Sequence, residues 1–159
     1  MLRPVIPLSS LCVCNFVYNS FMMKEIKAMN TDDDWKEKLS EEEYMVMRRK
    51  GTEAPFTGKY WNEHGKGMYR CIGCGQQLFH SDVKFDSGTG WPSFTEAIPE
   101  AVIFNDDSSH GTHRTEVLCS KCGAHLGHVF DDGPAEKGGK RYCINSVCLN
   151  LKKDKGKEK

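Results

Sequence analysis

The run Cys119-Ser120-Lys121-Cys122-Gly123-Ala124-His125-Leu126-Gly127-His128 joins a tight cysteine pair to two imidazoles. Its first five residues have a counterpart upstream, Cys71-Ile72-Gly73-Cys74-Gly75, with the same Cys-x-x-Cys spacing and the same following glycine. Each pair can form a knuckle whose backbone amides point toward its thiolates. Four thiolates in tetrahedral array suit zinc, and such a site is closed to water and substrate, so the metal is structural. Iron, an iron–sulfur cluster or a pair of redox disulfides also fits four thiolates, but the paired knuckles favour zinc. The gap of about 44 residues between the pairs exceeds that of a simple zinc ribbon. One zinc ion on Cys71, Cys74, Cys119 and Cys122 would therefore tie together two parts of the body that are distant in sequence.

Around these knuckles, apolar residues fall in short runs rich in β-formers: Met68-Tyr69, Leu78-Phe79, 101–104, 115–118 and 142–151. Glycine, aspartate or proline punctuates them, as in Asp86-Ser87-Gly88 and Asp131-Asp132-Gly133-Pro134. The body is expected to be mainly antiparallel β. Before it, residues 34–50 read as helical: Ser40 and Glu43 make a capping box, Leu39, Tyr44 and Met47 lie near one face, and Gly51 supplies a stop. Residues 152–159 alternate lysine with Asp154, Gly156 and Glu158 and read as a solvated tail.

Residues 1–33 read as a leader or disordered segment, with basic and serine residues scattered among apolar ones. Their apolar stretch is broken by Pro7, Ser9, Ser10, Asn15 and Asn19, which makes it a poor membrane span. A cytoplasmic or mitochondrial location is expected, and Met22 and Met23 leave open a second start. The remaining 34–151 suit one domain, as the length of 159 residues allows. With 22 basic and 22 acidic residues there is no global field to draw the protein onto nucleic acid or an anionic membrane. Eight cysteines in a chain of this size point to metal and thiol chemistry in a reducing compartment rather than a secreted disulfide scaffold. A monomer is expected.

With the knuckles assigned, Cys12, Cys14, Cys143 and Cys148 remain. A lone cysteine in a β-rich stretch is commonly a small buried hydrophobe. In Arg141-Tyr142-Cys143-Ile144-Asn145, however, strand alternation sets Arg141, Cys143 and Asn145 on one face. There Arg141 favours the thiolate and Asn145 offers both a donor and an acceptor. His125 and His128 follow directly on the second knuckle, and imidazoles near a thiol lower its pKa and supply protons. Read blandly, they are surface residues or extra ligands, though four cysteines already saturate zinc. A glycine-flexed loop, Phe85-Asp86-Ser87-Gly88-Thr89-Gly90-Trp91-Pro92-Ser93-Phe94, presents the indole of Trp91, a residue type more often used for packing.

That loop, together with the stretch from Gly123 to Pro134 and Arg141-Tyr142-Cys143-Ile144-Asn145-Ser146, closely resembles the signature segments of B-type methionine sulfoxide reductases in their zinc-binding form. Lys50-Gly51-Thr52-Glu53 and Phe56-Thr57-Gly58 match the lead-in of that family. The resemblance implies two antiparallel β-sheets with short N-terminal helices, and reduction of the R epimer of methionine sulfoxide, mainly in oxidised proteins. It implies that Cys143 attacks the sulfoxide sulfur and that His125 and His128 bind and protonate the oxygen. Trp91 would pack on the S-methyl group, while Asn145 and Arg141 organise the site. The products would be methionine and a sulfenic acid on Cys143.

A second thiol must clear that sulfenic acid. Many family members resemble one another in placing it before the tryptophan, where this chain has Thr89. Cys148 lies five residues on, roughly 16 Å along a strand and of opposite parity, whereas disulfide partners need α-carbons within about 7 Å. Direct reduction by thioredoxin or a small thiol ranks first, Cys12 or Cys14 second and Cys148 third. The competing reading is a zinc-stabilised binding module whose Cys143 is structural; metal hydrolysis needs an open zinc position, which four cysteines deny.

Overall fold

The computed structural model describes residues 31–154, which leaves the leader, Cys12, Cys14 and the end of the tail outside the described residues. The chain divides after Lys38 into two compact units. In the first, α1 (Asp32–Lys38) carries three aspartates in its first turn and Lys36 and Lys38 in its last, the order that complements a helix dipole. Thr31 and Asp34 cap its start reciprocally.

The second unit opens with α2 (Glu41–Arg49). The Glu43 amide donates to the Ser40 hydroxyl and the Ser40 amide to the Glu43 carboxylate, the expected capping box. Because Ser40 takes extended torsions to do this, the helical stretch over 34–50 is divided into two helices, in keeping with the short N-terminal helices that the resemblance implies. Lys50 closes α2 in the left-handed conformation, and the Gly51 amide bonds back to the Met45 carbonyl.

The body is β: β1 (Gly67–Cys71), β2 (Gln77–His80), β3 (Lys84–Phe85), β4 (Ser93–Phe94), β5 (Val102–Asp107), β6 (Arg114–Cys119), β7 (His125–Phe130), β8 (Arg141–Ile144) and β9 (Leu149–Lys153). They form a three-stranded sheet in the order β2-β1-β9 and a six-stranded sheet in the order β3-β4-β8-β7-β6-β5. Every pairing is antiparallel. Aromatic rings join the two layers: Phe94 of β4 stacks on Phe79 at 4.3 Å and meets Tyr69 edge-on at 5.1 Å. All three are fully buried, and rings of this size dominate the burial energy of a small core.

Two corrections concern the last third of the chain. The run 142–151 is not one strand: β8 stops at Ile144, and a 3-10 turn over Ser146–Cys148 carries the chain from the six-stranded sheet to the three-stranded one. Nor does the tail begin at Lys152. Lys152 and Lys153 extend β9, opposite Met68 and Gly67, with their side chains in solvent. Backbone pairing needs no apolar side chain, so a lysine run hides the end of an edge strand. Among the described residues no helix is long and apolar enough to cross a membrane.

Candidate active site and cysteine cluster

The two knuckles are the turns of two hairpins, β1–β2 and β6–β7, one in each sheet. Their hydrogen bonds repeat: the Gly75 amide donates to the Cys71 carbonyl and the Gly123 amide to the Cys119 carbonyl, both at 2.8 Å. Gly75 and Gly123 have φ of 75° and 69°, and a side chain there would meet no neighbour, so torsion alone selects glycine. Held this way, the four sulfurs lie within 4.8 Å of one another and can hold a metal ion. Cys71 faces Cys122 at 3.7 Å, and Cys74 faces Cys119 at 3.6 Å.

Cys143 stands apart from this cluster, on β8 between β4 and β7, opposite Ser93 on one side and His128 on the other. It lines a cavity of about 150 Å³ with Thr52, Trp91, Arg114, Gly127, His128, Phe130, Ile144 and Asn145. Trp91, Phe130 and Ile144 supply apolar surface, and Arg114, His128 and Asn145 supply polar groups. Gly127 lets the strands close here, because a Cβ at that position would strike the Cys143 carbonyl.

Arg141 forks onto Asp132 at 2.8 and 2.9 Å and lies 4.5 Å over the Phe130 ring. The Arg141 charge and the Thr89 hydroxyl both lie near the Cys143 sulfur and favour the thiolate. Burial outweighs them and pushes the Cys143 thiol up. Thr89 is held in turn by Ser87 at 2.8 Å, which bonds Ser93 at 2.7 Å. The loop position that lacks a cysteine thus brings a hydroxyl to the neighbourhood of the candidate nucleophile.

The two histidines have different surroundings. His128 lines the cavity, and its Nε2 meets the Asp107 carboxylate at 2.7 Å. Hydrogen bonds from Ser109 and His128 and the nearby Arg114 guanidinium hold Asp107 well below the usual carboxylate range. His125 does not line the cavity; it is 3% exposed and lies edge-on to His128 at 5.4 Å. Its Nδ1 meets Glu116 at 2.7 Å, and Glu116 also accepts from Lys50 at 2.9 Å. The bonds from Lys50 and His125 overcome burial and keep Glu116 ionised, so Nδ1 carries the proton and donates. Burial pushes the His125 pKa down, and its Nε2 is buried without a partner.

Asn145 lies just past the end of β8 yet still reaches the cavity. Its amide is already engaged: Oδ1 accepts from the Glu53 amide at 3.1 Å and Nδ2 donates to the Leu126 carbonyl at 3.0 Å. Cys148 is fully buried in the 3-10 turn, its thiol pointing to the His125 carbonyl at 3.4 Å. Burial pushes that thiol well up. The broken strand removes the parity argument against Cys148 as a resolving thiol, and burial replaces it.

Arg114, Asp107 and Glu116 are not marked by the sequence motifs, and Thr52, Glu53 and Phe130 lie in the family-like segments without a site role of their own. Glu116 has a signal of its own, as an acid inside the apolar run 115–118. The others come from loops and strand ends whose convergence only the fold reveals.

A two-sheet β-body with a closed cysteine cluster and a separate thiol in a half-apolar cleft defines a class of thiol-bearing, metal-competent β-proteins. Residues 39–153 match the family described as SelR domain. The chain is 56% identical over 123 residues to a peptide methionine sulfoxide reductase MsrB of Synechococcus sp. (strain RCC307), covering 77% of this chain and 90% of that protein. It is 53% identical over 140 residues to the protein of that name from Methanosarcina mazei, covering 86% and 99%. With the one from Cellvibrio japonicus it shares 58% over 118 residues, covering 74% and 84%. The chain belongs to the MsrB family.

Proposed function

We propose that the protein reduces the R epimer of methionine sulfoxide in oxidised proteins, with Cys143 as nucleophile and a closed zinc site as its brace. Methionine sulfoxide reduction in general, and with it the oxidoreductase class, follows from membership of the family. The observation that carries the finer reading is the lining of the Cys143 cavity. A sulfoxide is amphiphilic, with a methyl group and a polar oxygen on one sulfur, and the cavity is lined by both apolar and polar side chains.

With the methyl on Trp91 and Phe130 and the oxygen toward His128, Arg114 and Asn145, one epimer turns its sulfur toward Cys143. The mirror arrangement exchanges methyl and oxygen and is rejected. The Cys143 sulfur then bonds to the substrate sulfur while the proton that its thiol gives up passes to the sulfoxide oxygen, which makes a hydroxyl. Transfer of that hydroxyl to Cys143 sulfur releases methionine and leaves a sulfenic acid: sulfur of the substrate is reduced by two electrons and sulfur of Cys143 oxidised by two. His128 is the imidazole on the cavity wall, and His125 stands behind it.

The raised pKa of Cys143 means that the resting thiol keeps its proton, so the thiolate forms beside Arg141 and Thr89 when substrate is in place. For regeneration, Thr89 offers no sulfur and Cys148 is buried, which supports an external thiol, thioredoxin or a small molecule, attacking the sulfenic acid directly. Water leaves as the mixed disulfide forms, and a second thiol releases Cys143.

Zinc fits the cluster. Tetrahedral zinc at about 2.3 Å from each sulfur sets the sulfurs about 3.8 Å apart, close to the separations across the knuckles. Cys71, Cys74, Cys119 and Cys122 would hold it, and it would supply cross-linking alone. Incubation with dithiothreitol and resolved epimers tests the function: consumption of the R epimer, abolished by Cys143→Ser, is expected. Equal consumption of both epimers, or turnover by Cys143→Ser, would refute it.

A further inference from the structure

Glu53 is a carboxylate that the mechanism above does not use, yet it is 5% exposed and all of its polar groups are engaged at the cleft. Its amide donates to Asn145 Oδ1 at 3.1 Å, and its carbonyl accepts from the indole N–H of Trp91 at 3.1 Å. One carboxylate oxygen accepts from the Ser146 amide at 2.6 Å and the other from the Val147 amide at 3.1 Å. Trp91 and Asn145 come from separate segments, and this one residue joins them.

Its surroundings are built for that role. A Cβ on Gly58 would collide with both Glu53 Oε1 and the Ser146 hydroxyl, so the chain leaves room for the carboxylate. The Ser146 hydroxyl also accepts from the Tyr60 amide at 3.1 Å, which binds the lead-in segment to the 3-10 turn a second time. Burying a carboxylate is costly unless its oxygens are bonded; the two backbone donors offset part of that cost, and burial still holds the Glu53 carboxyl above its ordinary pKa.

We propose that Glu53 is a positioning residue that sets the spacing between the Trp91 wall and the Asn145 side of the cleft, and through it the affinity for the sulfoxide. The carboxylate anchors the backbone of residue 53 to the turn after the nucleophile, and that backbone then holds both walls. Freed of the anchor, the bonds to Trp91 and Asn145 slacken together. Cys143 is influenced by Thr89 and Arg141 and makes no bond to Glu53, so binding weakens more than chemistry. This inference rests on the reading that the sulfoxide binds in this cleft.

Glu53→Gln keeps the shape but turns an amide NH2 toward one of the two donors. KM for methionine sulfoxide should rise about tenfold while kcat stays within about twofold, the signature of lost uniform binding. In a chain carrying Trp35→Phe and Trp61→Phe, Trp91 is the sole tryptophan, and its emission should move to the red in Glu53→Gln. Trp91→Phe removes the indole N–H and keeps a ring, so its effect on kcat/KM should be less than additive with that of Glu53→Gln. Additive effects, a fall in kcat at unchanged KM, or unmoved Trp91 emission would overturn the proposal. Should Glu53→Gln not fold, Glu53→Asp, which retracts the oxygens by one methylene, is judged by the same readouts. If the wild type shows no turnover, the function reading fails and Trp91 emission alone decides the role of Glu53.

Discussion

The cysteine cluster and the Cys143 cleft use the same side chain for opposite ends. In the cluster, two hairpin turns aim four sulfurs at one point, and any ion they bind finds its coordination filled. In the cleft, one sulfur is approached by a guanidinium and a hydroxyl and opens on a cavity with room for a substrate. The difference is one of saturation. A thiolate that shares a metal with three others is held, whereas a thiol facing a single cation and an apolar wall stays available.

Loss of a cluster sulfur should have the largest effect on stability. Cys119→Ser is expected to lose bound metal and about 4 kcal/mol or more of unfolding free energy, checked by metal analysis and denaturant titration. Full metal and unchanged stability would erase the distinction between the two sites. Next comes the guanidinium. Alkylation of Cys143 by iodoacetamide should still be accelerating as pH passes the ordinary cysteine value of 9.0. Arg141→Met, which leaves Asp132 unopposed, should slow it about tenfold at neutral pH.

A smaller effect sharpens the role of His125. Its pKa is lowered from 6.5, so the unfolded chain binds a proton there that the folded one does not. Stability from this group is complete above 6.5 and falls as pH drops below it, at up to about 1.4 kcal/mol per pH unit. Denaturation midpoints in that range should flatten in His125→Asn. The smallest effect belongs to Cys148. Cys148→Ser keeps a donor for the His125 carbonyl and should cost about 1 kcal/mol of stability, with turnover under dithiothreitol unchanged. A loss of turnover would make that buried thiol part of the catalytic cycle.

What could be read ahead of the structure divides along physical lines. The knuckles were legible because a Cys-x-x-Cys turn followed by glycine is a local device, complete within five residues. The capping box at Ser40 was legible for the same reason, and it starts the second of the short N-terminal helices that the family resemblance implied. The break after Ile144 was hidden, since Ser146, Val147 and Cys148 carry no glycine or proline to mark it. It is held by Glu53, more than 90 positions away. Strand alternation correctly joined Arg141 to Cys143, which are neighbours on β8. It could not foresee that Asn145 spends its amide on Glu53 and Leu126, or that His125 is turned to Glu116, because those partners arrive from other strands.

The crossing of the chain between sheets also bears on how the protein is made. Strand β9 closes the three-stranded sheet against β1, and the turn before it meets Glu53 across 93 positions. During synthesis both partners wait until residues near 150 have left the ribosome. Until then the β6–β7 hairpin, whose contacts are local, can form by itself, while β1 exposes an unpaired edge. The reactive cleft is therefore among the last parts to assemble, and an interrupted chain carries thiols without a working site.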